Sequence, residues 1–457
     1  MGRQAARDAG TIMLSRRLAA LRQGAERVHA GRGADILPSG TSPFEGLLRL
    51  PERLPPTGFP LPAGREEKPP RPYAYKKPWV CRAVRLVDAA GERLFSRRRE
   101  RPAEIRRVLV LRPDHLGDVV FALPAIQALR AALPGARIDL LVATGSRPLF
   151  PQNVGEGLEF LFFDAPWLAR PARARAGLRG ALSLARQLRR RARETGGPYD
   201  LAVDLRGDFR LILAARLAGA RYLAGRGITG LGFLLDAEAR EVAGRHQVEG
   251  NLALLEAAGF DHRETPNPSI VLTQEEIEAG RAVLRGHGVA GAKLVVGVHP
   301  GAGLATKRWA PEKYATLIAR IASELPARVV LLGGPGDRPA ADAVLAALGE
   351  ARSSRRLVDL CGALPDLRAF MGVARACHLF VGNDSGPAHV AAALGVPVLC
   401  LFSATNDPAE WGPRGGAVVV LRRRIECEGC GLAECGHHSC MVQLDVEAVF
   451  QAVRRCV

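Results

Sequence analysis

The stretch from Leu379 to Phe402, LFVGNDSGPAHVAAALGVPVLCLF, limits the fold of this chain more than any other. Its first apolar run, Leu379 to Val381, is short enough for a buried parallel strand. Gly382 to Pro387 is a loop of turn-forming residues, and Ala388 to Leu394 is a small helical segment that stops at Gly395. Because a second apolar run follows, the stretch predicts a βαβ unit in a parallel sheet.

The same alternation of strands and helices runs twice along the chain. The predicted strands are Arg107–Leu111, Arg137–Ala143, Phe160–Phe163, Leu201–Leu205, Leu294–His299, Val329–Leu332 and Leu357–Leu360. The predicted helices are Gly117–Leu133, Arg173–Arg193, Phe209–Leu217, Gln274–Gly286, Pro311–Glu324, Pro339–Leu348 and Leu367–Ala376. This alternation is typical of doubly wound parallel sheets. We therefore expect an α/β protein with two Rossmann-like domains that face each other across a cleft, divided near residue 275.

Residues 1–104 differ from the rest in composition. They carry 21 Lys and Arg against 11 Asp and Glu, and nine prolines lie between Pro51 and Pro78. Such a proline density favours an extended or disordered linker. An amphipathic helix is predicted at Trp79–Arg99, with an apolar face formed by Trp79, Ala83, Val87 and Leu94. This helix could lie on an anionic membrane surface or dock on the domain that follows.

The charge and the cysteines limit the class of protein. A net charge of +18 admits nucleic acid, an anionic membrane or phosphate-bearing substrates. Aromatic residues make up only 5% and no nucleic-acid-binding motif occurs, so we expect no nucleic-acid partner. No apolar run approaches the roughly 18 residues of a membrane span, and the start lacks a signal-peptide core. Nine cysteines, several of them isolated, fit a reducing compartment, so we expect a cytoplasmic protein.

The loop within the opening stretch is a candidate ligand site. Asp384, Ser385 and Gly386 precede a helix N-terminus, where free N–H groups and the positive end of the dipole attract an anion. An ordinary helix cap by Asp384 or Ser385 is the alternative. Since the carboxylate would repel a phosphate unless sugar hydroxyls donate to it, the combination indicates a nucleotide sugar.

Two further loops in the second half carry candidate donor contacts. Gly301 and Gly303 in HPGAGLATKRW allow close backbone approach, and Lys307 and Arg308 supply cations for a diphosphate. The loop Gly333–Asp337 (GGPGD) places Asp337 where a ribose could bind. It is not a GxGxxG fingerprint, which counts against a dehydrogenase.

In the first half, the loop from Arg112 to Asp118 follows the first strand. Asp118 could act as a general base for an attacking hydroxyl, or could simply cap the next helix. Arg112 and His115 in the same loop are candidates for binding an acceptor.

Four cysteines crowd the end of the chain. Cys427, Cys430, Cys435 and Cys440, with His437 and His438 beside them, are a candidate zinc or iron–sulfur site. Ligands within one short loop would make a structural knuckle and not a catalytic centre. Packing thiols without a metal are an equal alternative.

Four blocks of the sequence resemble the signature blocks of glycosyltransferase family 9, which includes the ADP-heptose:lipopolysaccharide heptosyltransferases. They begin LRPDHLGDVV, HPGAGLATKRW, LCGALPDLRAF and CEGCGLAECG, and the resemblance covers about residues 106–457. It implies a GT-B fold and no obligatory metal or other cofactor. It also implies inverting transfer of heptose from ADP-L-glycero-D-manno-heptose to the lipopolysaccharide inner core, on a Kdo or heptose acceptor.

The resemblance assigns roles residue by residue. It implies that Asp118 is the catalytic base, that Lys307 binds the diphosphate, and that Asp384, Ser385 and Gly386 hold the donor's sugar and phosphates. Asp337 falls where a ribose-contacting acid is expected. The loop from Pro300 to Ala305 carries Gly and Ala where some members carry hydroxyl residues, so backbone contacts are expected there.

The resulting domain prediction has three parts. Residues 1–104 are a basic, partly disordered extension, 105–275 an acceptor domain, and 276–457 a donor domain with a Cys-rich end. The expected partners are ADP-heptose and a lipid A–Kdo acceptor, at the cytoplasmic face of the inner membrane. A family-9 enzyme with another nucleotide sugar, a non-catalytic basic zinc-knuckle protein and a Rossmann oxidoreductase are the alternatives.

Overall fold

A computed structural model of the protein describes residue 75 and residues 77–95, 98–153, 155–168, 177–239, 242, 244–262, 264–289 and 291–457. Two compact units divide this part of the chain, one ending at Val271 and the other beginning at Leu272. The division falls close to the boundary predicted near residue 275. The proline-rich linker lies outside the described residues.

The N-terminal unit is built on a sheet of six parallel strands in the order β3-β2-β1-β4-β5-β6. The strands are β1 (Arg107–Arg112), β2 (Arg137–Val142), β3 (Leu158–Phe162), β4 (Leu201–Asp204), β5 (Tyr222–Gly225) and β6 (Ala237–Glu238). The helices are α1 (Pro78–Leu94), α2 (Leu116–Ala132), α3 (Gly177–Glu194), α4 (Phe209–Leu217) and α5 (Gln247–Ala257). The strand order reverses between β1 and β4, where a ligand site is expected in a doubly wound sheet.

The C-terminal unit repeats this plan, with six parallel strands in the order β12-β11-β10-β7-β8-β9. Its strands are β7 (Leu294–His299), β8 (Ala327–Leu331), β9 (Leu357–Asp359), β10 (Leu379–Asn383), β11 (Val398–Phe402) and β12 (Val418–Arg422). Its helices are α6 (Gln274–Gly286), α7 (Pro311–Glu324), α8 (Arg338–Leu348), α9 (Leu367–Arg375), α10 (Gly386–Ala393), α11 (Pro408–Trp411), α12 (Ser439–Val442) and α13 (Val446–Cys456). The two Rossmann-like sheets confirm the predicted fold class.

The central strands are apolar throughout because helices cover both faces of a parallel sheet. Every residue of β7, β10 and β11 is buried. The helix after β10 begins at Gly386, two positions before the expected start. Pro387 fits within its first turn, where no N–H is needed.

Helices α6 and α9 approach each other closely through two glycines. A Cβ on Gly280 would overlap the carbonyl group of Gly372, and one on Gly372 would lie 2.5 Å from the Glu276 oxygen. The Arg368 guanidinium pairs with the Glu276 carboxylate beside this contact. Glycine is therefore required at both positions by packing.

Helix α1 and residues 98–104 belong to the N-terminal unit, and docking on this unit was one of the two placements that the sequence left open for the helix. The helix packs on the unit, and Arg99 donates a backbone N–H to Asp236 Oδ1 at 3.0 Å. The predicted apolar face is not the face that packs on this unit: Trp79, Val87 and Leu94 are exposed, whereas Asp88 and Gly91 are buried. Small Gly91 lets the helix approach Phe233, which a larger apolar residue would prevent.

No helix in the described part of the chain is long and apolar enough to cross a bilayer.

Candidate active site

In the N-terminal unit, polar side chains meet at the carboxyl edge of the sheet where β1 and β4 pair. Leu111 of β1 lies in register with Asp204 of β4, so the loops that follow these strands emerge side by side. Arg112 ends β1, Asp114 lies in the loop after it and Asp118 in the first turn of α2, while Arg206 lies in the loop after β4. The predicted loop thus lies at the point where the strand order reverses.

The Arg112 guanidinium is buried and bonds to groups within the protein. The side chain is 4% exposed, and its Nε donates to the Asp118 carbonyl oxygen at 3.2 Å. Its Nη2 lies 3.6 Å from Asp118 Oδ1, and another N–H donates to the Leu205 carbonyl. The predicted direct contact with an acceptor is therefore not what this geometry offers. Arg112 orients Asp118 and would act through it.

Asp118 lies in the first turn of α2, but the N-cap of that helix is the exposed His115. Burial raises the pKa of Asp118, and the charge of nearby Asp114 raises it further, against the opposing effect of Arg112. The side chain keeps 21% exposure. A partly accessible carboxylate with a raised pKa is a better proton acceptor than an ordinary aspartate, which is what a general base requires.

Arg206 and Asp208 belong to the same cluster and were missed from the sequence. Arg206 pairs with the buried Asp114, and its Nε lies 3.6 Å from Asp208 Oδ2. Arg112 and Arg206 outweigh the effect of burial and lower the pKa of Asp114, so Asp114 stays ionised beside Asp118. The signal was present in RGDF, which directly follows an apolar strand.

In the C-terminal unit, the corresponding edge lies where β7 and β10 pair, with Gly382 in register with His299. Asn383, fully buried, joins the two loops. Its amide nitrogen donates to the carbonyls of Pro300 and Gly301 at 2.8 and 3.2 Å. Its oxygen accepts from the Trp309 N–H at 3.1 Å. This residue, which the sequence did not single out, fixes the loop that carries Lys307.

Lys307 and Asp384, predicted as separate donor contacts, meet in the structure. Lys307 Nζ lies 2.6 Å from Asp384 Oδ2, and His389 Nε2 lies 3.4 Å from the other carboxylate oxygen. Burial would raise the pKa of Asp384, but the hydrogen bond from His389 and the charge of Lys307 lower it. With its amide turned to face the lysine, Asn406 places its oxygen 2.9 Å from Lys307 Nζ. The lysine is thus tethered, with 17% of its side chain exposed.

His299 links the start of α10 to Asp337. Its Nδ1 lies 3.4 Å from Ser385 Oγ, and its Nε2 lies 3.2 Å from Asp337 Oδ2. Burial opposes ionisation of Asp337, but His299, the Gly334 N–H and the charge of Arg308 together outweigh it and lower the pKa. A Cβ on Gly301 would overlap the Asp337 carboxylate, so this glycine is required by the network itself.

The remaining predicted donor residues surround this network. Ser385 is the N-cap of α10 without a side-chain capping bond, and Gly386 begins the helix. Gly303 and Arg308 are exposed in the loop after β7, where Arg308 Nε donates to the Ala302 carbonyl at 3.0 Å. The N-terminus of α10 and the tethered Lys307 therefore offer positive charge at one edge of this sheet.

The cysteine-rich segment, residues 427–440, packs against the loops of this site. Gly429 and Gly431 donate backbone N–H groups to Ala404 and Thr405 at 2.7 and 3.0 Å. Thr306, next to Lys307, donates its hydroxyl to the Leu432 carbonyl at 2.8 Å. Within the described residues, no three His, Cys, Asp or Glu side chains are placed to hold a metal ion. The zinc site of Cys427, Cys430, Cys435 and Cys440 stays a prediction.

Known proteins are similar to this chain both in sequence and in fold. Lipopolysaccharide heptosyltransferase 2 of Escherichia coli (strain K12) is 28% identical over 358 residues, covering 76% of this chain and 97% of that protein. A solved family 9 glycosyl transferase from Veillonella parvula has a TM-score of 0.62 at 20% identity, covering 79% of this chain and 99% of that one. E. coli ADP-heptose lps heptosyltransferase II has a TM-score of 0.58 at 22% identity, covering 77% and 98%.

The family described as glycosyltransferase family 9 (heptosyltransferase) matches residues 181–439, more than half of the chain. This range includes Lys307 and Asp384 and begins after Asp118. The solved structures share the fold of two Rossmann-like units. The chain therefore belongs to glycosyltransferase family 9 and is a glycosyltransferase of the GT-B fold.

Proposed function

We propose that this protein transfers heptose, with inversion, from ADP-L-glycero-D-manno-heptose to a Kdo or heptose residue of the lipopolysaccharide inner core. Family membership supports glycosyl transfer, and the names of the curated relatives support heptose and lipopolysaccharide. The observation that carries the proposal is Lys307, held by Asp384 beside the N-terminus of α10.

The leaving group in this reaction is ADP, whose diphosphate gains negative charge as the bond to the sugar breaks. Lys307 and the N–H groups at the start of α10 would stabilise that charge. The ammonium is paired with the Asp384 carboxylate at 2.6 Å and donates to the Asn406 oxygen, so its position is set before the donor binds. We propose that these groups stand in for a metal ion, so that transfer continues in the presence of EDTA.

Asp118 would remove the proton from the acceptor hydroxyl as that oxygen attacks the anomeric carbon. Its pKa, raised by burial and by the charge of Asp114, suits this role, and Arg112 keeps its carboxylate in place. Asp337, tied to His299, would accept from the ribose hydroxyls of the donor. His115 would contact the acceptor, since it is exposed at the start of α2.

The acceptor in this proposal is attached to lipid A. We propose that the enzyme works in the cytoplasm, at the cytoplasmic face of the inner membrane. The basic surface would bring it to an anionic lipid-linked substrate. Nucleic acid has no part in this proposal.

A donor panel tests the proposal. The protein is incubated with ADP-heptose, and in parallel with UDP- and GDP-sugars, in the presence of lipid A–Kdo acceptor and EDTA, and the products are weighed by mass spectrometry. We expect a heptosylated acceptor and free ADP from ADP-heptose alone. Product from another nucleotide sugar would assign the enzyme a different donor, and the absence of product and of ADP-heptose binding would remove the proposal.

A further inference from the structure

Helix α1 is fixed on the N-terminal unit by one face. Asp88 Oδ1 accepts the Leu231 N–H at 2.7 Å, and Gly91 lies so close to Phe233 that a Cβ would be 2.5 Å from its Cγ. Val84 packs against Gly230, where a Cβ would lie 2.7 Å from Val84 Cγ1. The inner face of the helix therefore carries Val84, Asp88 and Gly91.

The outer face of α1 is apolar and exposed. Four of the thirteen large apolar side chains that are exposed among the described residues lie on this face: Trp79 (67%), Leu86 (73%), Val87 (54%) and Leu94 (77%). Phe95, just past the helix end, stacks instead on Phe233 of the docked face, with ring centroids 5.9 Å apart. Ala83 and Ala90, also exposed, fill the gaps between the four side chains of the outer face. At about 100° of rotation per residue these positions form one continuous stripe along the helix.

Basic residues line one border of this apolar stripe. Arg82, Arg85 and Arg93 are exposed on the side away from the docked face, and none of them forms an ion pair with a described residue. The acidic Asp88 is turned inward, which leaves the exposed Glu92 as the opposing charge on the helix. The outer face therefore combines apolar side chains with a net positive charge.

This combination of apolar and basic side chains favours an anionic membrane as the partner. A contiguous apolar patch is unfavourable in water and marks an interaction surface on soluble proteins. Trp, Leu and Val on one side of a helix, bordered by arginines, match the boundary between lipid headgroups and acyl chains in an anionic membrane. A protein partner with an apolar groove would not require the unpaired arginines along the stripe.

We propose that the outer face of α1 docks the enzyme on an anionic bilayer, with the helix parallel to the membrane plane. Its apolar stripe enters the headgroup region, and Arg82, Arg85 and Arg93 contact lipid phosphates. This inference deepens the proposed function and rests on it for the choice of a membrane as partner. Its test uses neither donor nor acceptor, so the two can fail separately.

The test is binding of the full-length protein to vesicles of phosphatidylcholine, with or without about 30% phosphatidylglycerol, measured by flotation. We expect binding to the anionic vesicles that weakens as salt is raised. Brominated lipid should quench Trp79, which is 67% exposed on the outer face of the helix, whereas Trp167 and Trp309 are buried at 6% and 1% exposure and the half-buried Trp411 lies in the C-terminal unit. Trp79→Phe should remove most of that quenching while leaving flotation nearly unchanged.

Matched variants identify the surface. Leu86→Ser with Leu94→Ser should weaken partitioning at least about tenfold, and Arg82→Gln with Arg85→Gln about fivefold for each arginine. The apolar control is Val271→Ser with Val442→Ser, at residues exposed by 61% and 60%, and the charge control is Arg352→Gln with Arg355→Gln. Both controls should partition like the wild type.

Three results would overturn the proposal: no flotation with anionic vesicles, wild-type flotation of the Leu86→Ser/Leu94→Ser variant, or equal loss in the controls. A concentration-dependent dimer that the leucine variant abolishes, without vesicle binding, would assign the face to a second copy of the chain. Thermal unfolding of each variant shows that a loss of binding is not a loss of the fold.

Discussion

Replacing Lys307 by Met separates two roles that the structure gives to one side chain. Lys307 Nζ lies 2.6 Å from the buried Asp384 carboxylate, so the substitution removes the ammonium paired with that carboxylate and leaves it with the His389 ring, at 3.4 Å. It also removes the cation that we propose for the donor's diphosphate. Stability and ADP affinity should therefore both fall.

The size of each effect follows from the geometry. Breaking a buried ion pair by removing one partner costs about 3–5 kcal/mol, and the 17% exposure of Lys307 favours the lower end, about 3 kcal/mol. Loss of one charged hydrogen bond to phosphate costs about 1.5–3 kcal/mol, or about 10- to 100-fold in the Kd for ADP. Because the pKa of Asp384 is lowered in the folded state, its contribution to stability is present above the ordinary aspartate value of 3.8. That contribution is lost as the pH falls through the pKa of Asp384 in the folded state. The difference in free energy of unfolding between the wild type and Lys307→Met should therefore shrink in acid.

The decisive variant is Lys307→Met combined with Asp384→Asn. Removing both charges should recover most of the free energy of unfolding, because no unpaired carboxylate remains, but should leave ADP affinity at least about tenfold weaker. Urea unfolding and calorimetric titration with ADP measure the two quantities. Lys313→Met is the control, since its ammonium donates to the Leu444 carbonyl at 2.8 Å, away from this cluster, and its loss should spare ADP binding. Wild-type ADP affinity in the double variant would refute the reasoning.

Two further predictions concern the base and the packing of the donor unit. Asp118→Asn should lower kcat about 10²- to 10⁴-fold without lowering Tm, because burial raises the pKa of Asp118 and its ionised form costs stability at neutral pH. The apparent pKa on the acid side of the wild-type kcat/KM profile against pH should lie above 3.8, the ordinary value for aspartate. A fall in Tm at unchanged kcat would show that Asp118 is only a structural residue. Gly280→Ala should destabilise the protein by several kcal/mol, because its Cβ would overlap the Gly372 carbonyl, whereas Gly286→Ala, with nothing within 4 Å, should stabilise it by about 0.5–1 kcal/mol. Equal effects at the two glycines in urea unfolding would contradict the packing.

The fold was predictable because each strand of a buried parallel sheet is a short apolar run that ends at turn residues. The same rule located both polar clusters, since the loops that lead to Asp118 and to Asp384 each follow such a run. It missed Asn383 because an amide at a strand end has no distinctive pattern. Only the fold shows that this amide bonds the loop that carries Lys307.

Side-chain pairing and helix orientation could not be derived from sequence. Lys307 and Asp384 are far apart along the chain, and their contact depends on the register of β7 with β10. Helix α1 has an obvious apolar face, yet it docks by the face that carries Asp88 and Gly91. Amphipathicity shows that two faces differ, but not which of them finds a complementary surface.

The most direct test of the account is the product formed from ADP-heptose and a lipid A–Kdo acceptor by the wild-type enzyme and by Asp118→Asn. We predict that the wild type adds one heptose per ADP released and inverts the anomeric centre, as measured by mass spectrometry and NMR, and that the variant forms product at least about 100-fold more slowly. A retained anomeric configuration, or equal rates for the two proteins, would contradict the account.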